Sequence, residues 1–194
     1  PRRRGGADRR GPRPAGAGDA SAERGQVLVQ LLGCFSGDGD ERYLGRLQLL
    51  RRGDALAALQ WLAAQPWSNG RVGMFGTSYG GTTAATVILR HPDVVQAAVS
   101  NSPVTDYRLY DTAYSERFLG LPQASPEAYD RAAVLTYAGQ LQGDLLLYYG
   151  TSDDNVHPKN SLQFIKALQA AGKSFEVQVG PDRGHTALDQ TRMM

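Results

Sequence analysis

Val72-Gly73-Met74-Phe75-Gly76-Thr77-Ser78-Tyr79-Gly80-Gly81-Thr82 is the stretch on which the fold turns. An apolar run leads into Gly-x-Ser-x-Gly, and a helical stretch from Thr82 to Arg90 follows at once. A serine hydroxyl is a poor nucleophile unless a strained strand-to-helix turn lifts it toward a general base. Glycines two before and two after the serine let such a turn close and let the helix pack tightly on the sheet. Ser78 is therefore the candidate nucleophile, set against a purely structural turn in a chain with 23 glycines. The motif alone is weak. It gains weight from a strand before it, a helix after it, and an acid then a histidine further along, in that order.

The acid candidates lie in Asp144-Leu145-Leu146-Leu147-Tyr148-Tyr149-Gly150-Thr151-Ser152-Asp153-Asp154-Asn155. A short apolar run ending in glycine and acids reads as a buried parallel strand entering a loop. Chemistry in open α/β sheets collects at such carboxyl ends. Asp153 and Asp154 both qualify, and one of them can serve only as a solvated cap for the helix near Pro158; Asp153 is the preferred acid. The base follows by elimination among three histidines. His91 comes after Arg90 and before Pro92, as a basic residue at a helix C-terminus does. His157 sits at the start of the next helix and reads as a cap. His185, in the loop Gly180-Pro181-Asp182-Arg183-Gly184 that follows the strand Phe175–Val179, lies beyond both serine and acid and has a strand end behind it. In this scheme His185 takes the Ser78 proton, Asp153 orients the imidazole, and the Tyr79 backbone N–H helps hold the oxyanion.

Working outward, Gln26–Leu32 reads as a strand and Gly33–Asp40 as a loop. Leu56, Leu59 and Leu62 recur at helical spacing after a capping Asp54 and before Pro66. A strand is expected over Val94–Val99, a loop-and-helix insertion from Pro103 to about Leu141, and a helix from Pro158 to Ala171 with Leu162, Ile165 and Leu168 inward. Strand–helix alternation predicts an α/β fold with a doubly wound, mostly parallel sheet. The expected domain is 25–194, preceded by a disordered segment, 1–24. That segment holds seven arginines against three acids, a net +4 in a chain of net +2, so the other 170 residues carry −2. It has no aromatic residue to stack on bases and no DNA-reading motif, which argues against a nucleic-acid partner.

One cysteine, Cys34, excludes an internal disulfide, and no apolar run of eighteen residues exists to span a membrane. No metal cluster or phosphate-binding glycine loop is visible, so no cofactor is implied. The start at Pro1 and the stop nine residues after His185 read as those of a fragment. Compartment is not indicated, and a homo-oligomer of a longer parent stays open.

Four motifs in order carry a family resemblance: Gly76–Gly81, Pro103-Val104-Thr105-Asp106-Tyr107, Tyr110–Gly120, and Gly150-Thr151-Ser152-Asp153-Asp154-Asn155-Val156-His157. Residues 50 to 194 closely resemble the catalytic domain of the prolyl oligopeptidase family, nearest its dipeptidyl peptidase IV-like branch. The resemblance implies an α/β-hydrolase fold, truncated at the N-terminal side and at the C-terminus, and a serine peptidase acting on short peptides after Pro or Ala. It supports Asp153 as the acid with His185. By the same resemblance Tyr79, Val104, Tyr107, Tyr110, Tyr114 and Val156 form the pocket for the residue before the scissile bond, and Asn155 bonds the substrate backbone. Aromatic faces suit a flat proline ring that has no N–H to satisfy.

Spaced by three and four, the tyrosines at 107, 110 and 114 are also what a core-packed helix face would show. Tyr107 stands where the family pattern has tryptophan. The family's early strands, its second oxyanion contact and its β-propeller find no match here. Two other readings remain: an esterase or lipase with the same triad, and a catalytically inactive binding module.

Overall fold

The computed structural model describes residues 25–32, as backbone, and residues 55–185. The arginine-rich segment 1–24, the loop expected over 33–40 and the Asp54 cap lie outside the described residues, as does the chain after His185. Five strands form one parallel sheet in chain order: β1 (Gly25–Leu32), β2 (Ser68–Thr77), β3 (Ala97–Asn101), β4 (Asp144–Gly150) and β5 (Glu176–Gly180). Between them run α1 (55–63), α2 (Tyr79–Arg90), α3 (Thr112–Leu119), α4 (Pro126–Ala132) and α5 (Lys159–Ala170), with 3₁₀ turns at Tyr107–Leu109 and Val134–Gln140.

Register shows which side chains share a face. Met74 pairs with Ala98 and Ala98 with Leu145; one residue on, Phe75 pairs with Val99 and Val99 with Leu146. The first set, with Val72 and Leu147, is buried against Leu59 of α1, Ile88 of α2, Val134 and Ala138 of the second 3₁₀ turn, and Phe164 and Leu168 of α5. Among the described residues, α1, α2 and α5 thus share one core on this face of the sheet. Each large side chain so buried contributes roughly 1.5–3 kcal/mol, which anchors these helices to that face. Phe75, Val99 and Leu146 point the other way and are half-buried, and neither apolar core among the described residues includes them.

Two expectations need correcting. The strand expected from Val94 starts at Ala97, because the N–H groups of Val94 and Val95 both donate to the His91 carbonyl (3.0 and 3.1 Å) and close a turn after α2. Val94 and Val95 still reach the core, but from the turn. Leu162, expected inward, is 51% exposed. The inward face of α5 is set by Asn160, Ser161, Phe164 and Leu168, and at ~100° per residue Leu162 lies about 160° from Phe164.

Helix α2 is buried from Gly80 to Leu89 although it carries three threonines. Their hydroxyls bond back one turn: Thr83 Oγ1 to the Tyr79 carbonyl (2.9 Å) and Thr86 Oγ1 to that of Thr82 (2.7 Å). Buried hydroxyls satisfied in this way cost little. This helix forms the floor from which the site is built.

Candidate active site

Ser78 joins β2 to α2 at φ 58°, ψ −121°. A non-glycine residue there carries about 1–3 kcal/mol of backbone strain, so the surroundings must over-determine the turn. They do. The Ser78 N–H donates to the Asn101 carbonyl at the end of β3 (2.9 Å), and the Ser78 carbonyl accepts from the Thr82 N–H (2.9 Å). A Cβ at Gly76 would stand 2.3 Å from the Gly80 carbonyl carbon, so only glycine lets the turn fold back this closely. Tyr79 is the first residue of α2, and its N–H lies at the helix end where the macrodipole favours negative charge.

Asp153 follows β4 and is 3% exposed. Its Oδ1 accepts from the N–H groups of Asn155 (3.1 Å) and Val156 (2.9 Å), while Oδ2 meets His185 Nδ1 at 2.9 Å. His185 lies beyond β5, one strand further along, and needs a reason to come back. A Cβ at Gly150 would stand 2.2 Å from the Arg183 carbonyl oxygen, so the absent side chain lets the 181–185 loop cross the end of β4. The Ser152 N–H then donates to that carbonyl (2.9 Å), and the Asp182 N–H to Thr151 Oγ1 (2.8 Å). With Nδ1 on the carboxylate, Nε2 is the nitrogen left for chemistry.

Ser78, Asp153 and His185 thus stand at the carboxyl ends of β2, β4 and beyond β5, on one rim of one sheet. The discarded candidates fall elsewhere. His91 caps the C-terminus of α2, which runs from this rim toward the opposite end of the strands. His157 is exposed and accepts from the Lys159 N–H at Nδ1 (3.2 Å), a cap as expected, and Asp154 is exposed.

Most residues expected to form the substrate pocket gather beside this rim. Val104, Tyr107 and Val156 are buried in one apolar cluster, with Tyr110 and Tyr114 packed against it. The tyrosines are not a single helix face. Tyr107 lies in a 3₁₀ turn, Tyr110 ends that turn, and Asp111 restarts the chain as α3 by accepting from the N–H groups of Ala113 and Tyr114. Their rings meet nonetheless: Tyr107 and Tyr114 stack at 6.4 Å, and Tyr110 meets Tyr114 edge-on at 5.5 Å. Tyr110 Oη donates to Asn155 Oδ1 at 3.0 Å. Burial, with Asp111 and Asp153 nearby, raises the Tyr110 phenol above its usual range.

Sequence reading missed several residues that hold this cluster. Thr82 Oγ1 lies 2.9 Å from the Val104 N–H and 3.0 Å from its carbonyl, tying Val104 to the first turn of α2 just after Tyr79. Tyr129 of α4 is fully buried in the cluster and donates to the Gly120 carbonyl (2.8 Å). Arg108 bridges Asp106 and Asp130 and lies over the Tyr129 ring. Among the described residues no group of three His, Cys, Asp or Glu side chains could hold a metal, and no helix is long and apolar enough to cross a membrane.

Comparison with known proteins bears on the fold and the family. The model of the prolyl oligopeptidase family matches residues 51–194. Inactive dipeptidyl peptidase 10 of Rattus norvegicus is 33% identical over 141 residues, which are 72% of this chain and 18% of that protein. "Probable dipeptidyl-aminopeptidase B" of Grosmannia clavigera is 38% identical over 146 residues, 73% of this chain and 15% of that one. The crystal structure of Porphyromonas gingivalis dipeptidyl peptidase 4 superposes with a TM-score of 0.69 at 35% identity, over 72% of this chain and 20% of that chain. The chain therefore spans about a fifth of the length of the relatives it matches. The parallel sheet with its flanking helices is an α/β-hydrolase fold of the dipeptidyl peptidase IV-like kind. On the strength of that match and this architecture, the chain belongs to the prolyl oligopeptidase family.

Proposed function

We propose that this chain carries the catalytic site of a serine peptidase that cleaves short peptides after Pro or Ala. His185 Nε2 accepts the Ser78 hydroxyl proton as the oxygen attacks the scissile carbonyl, then returns it to the leaving amine. Asp153 keeps Nδ1 protonated and stabilises the imidazolium formed in between. The Tyr79 N–H donates to the oxyanion; losing one such donor typically costs about 3–4 kcal/mol. Water then releases the acyl group from Ser78 by the same path. The residue before the scissile bond is received by Tyr79 and by the cluster of Val104, Tyr107, Tyr110, Tyr114 and Val156, with Asn155 on the substrate backbone.

The observation that carries this reading is the part-buried 2.9 Å contact between His185 and the buried Asp153, two strands from a serine held at φ 58° on the same rim. Turnover of a proline-linked anilide against an acyl ester tests it. Cleavage of the anilide supports the peptidase reading, and cleavage of the ester alone makes the chain an esterase. A second reading is favoured by one finding, that a relative 33% identical bears the name inactive dipeptidyl peptidase 10. In that case the domain serves as a binding module, and neither substrate is turned over by the folded chain.

A further inference from the structure

We propose that Asn160 is a positioning residue: its buried carboxamide holds the wall of the substrate pocket in register with the acid loop. The proposal rests on the peptidase reading above for what the pocket receives, and on the following geometry for how it is held. Asn160 is 0% exposed, in the first turn of α5 just beyond the Asp153–His157 loop. Its Oδ1 accepts from the N–H groups of Thr105 (3.0 Å) and Asp106 (3.4 Å). Its Nδ2 donates to the carbonyls of Leu109 (3.3 Å) and His157 (3.4 Å). Its own carbonyl accepts from Thr105 Oγ1 at 2.7 Å.

A carboxamide has two acceptor sites and two donors, and here both kinds are in use. Only one flip fits: oxygen facing two N–H groups, nitrogen facing two carbonyls. The places it grips matter as much as the number. Asp106 immediately precedes Tyr107, and Leu109 immediately precedes Tyr110. One side chain thus clamps the backbone on both sides of the 3₁₀ turn that presents the two tyrosines, and its third anchor, His157, lies in the acid loop. The exposed Tyr110–Asn155 bond joins the same two segments at the surface and depends on that deeper register.

If Asn160 acts this way, loosening it will displace the pocket and leave the triad intact. The test uses three measurements on the whole chain: affinity for alanyl-pyrrolidide, a non-hydrolysable stand-in for an Ala-Pro moiety; the labelling rate of Ser78 by a small fluorophosphonate, which reads the triad without filling the pocket; and the thermal midpoint. Asn160→Asp keeps the shape but turns an acceptor toward the Leu109 and His157 carbonyls. It is expected to weaken pyrrolidide binding about tenfold or more while labelling changes less than about threefold.

Thr105→Val removes the hydroxyl's bonds to the Asn160 carbonyl (2.7 Å) and to Asn160 Oδ1 (3.4 Å), keeps the Thr105 N–H bond, and guards against an Asn160 variant that fails to fold; about a threefold loss of binding is expected. Thr86→Val removes an equally buried bond of 2.7 Å inside α2 and serves as the control. A purely structural role would lower the midpoint in both threonine variants and leave binding unchanged in both. Unchanged binding in a folded Asn160→Asp or Thr105→Val chain overturns the proposal, as does labelling that falls in step with binding. A parent chain that binds the pyrrolidide but is never labelled sinks the catalytic reading and leaves the positioning claim standing or falling on binding alone. A parent that does not bind it overturns both.

Discussion

Replacing Ser78 by glycine should make this protein more stable than replacing it by alanine, although both variants lose the nucleophile. At φ 58°, ψ −121° a residue with a Cβ carries about 1–3 kcal/mol of strain, whereas glycine visits that region freely. Glycine also loses more chain entropy on folding, roughly 0.5–1 kcal/mol relative to alanine. The balance favours Ser78→Gly over Ser78→Ala by about 0–2.5 kcal/mol, centred on ~1 kcal/mol. For a domain of this size that centre is a difference of about 2–4 °C in midpoint. Urea unfolding of the two variants, with equal slopes as the check that the unfolded states match, gives the difference directly. A glycine variant no more stable than the alanine variant would refute the argument that the turn is held under strain to present the serine.

Other perturbations address the rest of the site. Asp153→Asn should keep the fold but lower kcat by roughly 10³–10⁴, the scale seen when a triad carboxylate is neutralised and the imidazole tautomer is lost; rates at matched thermal midpoint check it. Gly150→Ala places a methyl group against the Arg183 carbonyl, so a destabilisation of about 1–3 kcal/mol and loss of fluorophosphonate labelling are expected together. Tyr110→Phe removes the bond to Asn155 and should raise KM about three- to tenfold with kcat little changed. The Tyr110 pKa is raised in the folded state, so its contribution to stability is complete below the ordinary tyrosine value near ~10 and is lost as pH climbs through the folded value. A difference ultraviolet titration of Tyr110→Phe against the parent should therefore show the missing phenol ionising late.

Much of the fold is legible in the chain because it rests on short-range patterns. The apolar runs at Val72 and Leu145 with their glycine punctuation mark β2 and β4, and Gly76 and Ser78 mark the turn between strand and helix. What escapes is set by tertiary contact. Val94 and Val95 read as strand because they are β-branched and apolar, yet hydrogen bonds to His91 decide for a turn. Leu162 reads as core by its type, but Phe164 and the buried Asn160 fix which side of α5 faces inward.

The candidate site divides in the same way. Order along the chain nominates Ser78 and His185 and narrows the acid to Asp153 or Asp154, since each follows a strand end; the family resemblance favours Asp153. Nothing local marks Thr82, Tyr129 or Asn160, because their partners lie 22, 9 and 55 residues away. A polar residue on the inward side of a helix is the one signal that could have pointed to Asn160 and Thr82. The spacing of Tyr107, Tyr110 and Tyr114 suggests a single helix face, and the Asp111 cap breaks it into a turn and a helix whose rings still converge.

Fluorophosphonate labelling followed by mass spectrometry of the digested chain addresses the central claim most directly. The account predicts one adduct, on the peptide bearing Ser78, absent in Ser78→Ala and slowed at least a hundredfold, on the order of two decades, in His185→Ala. A folded chain that takes no label, or takes it on another residue, would contradict it.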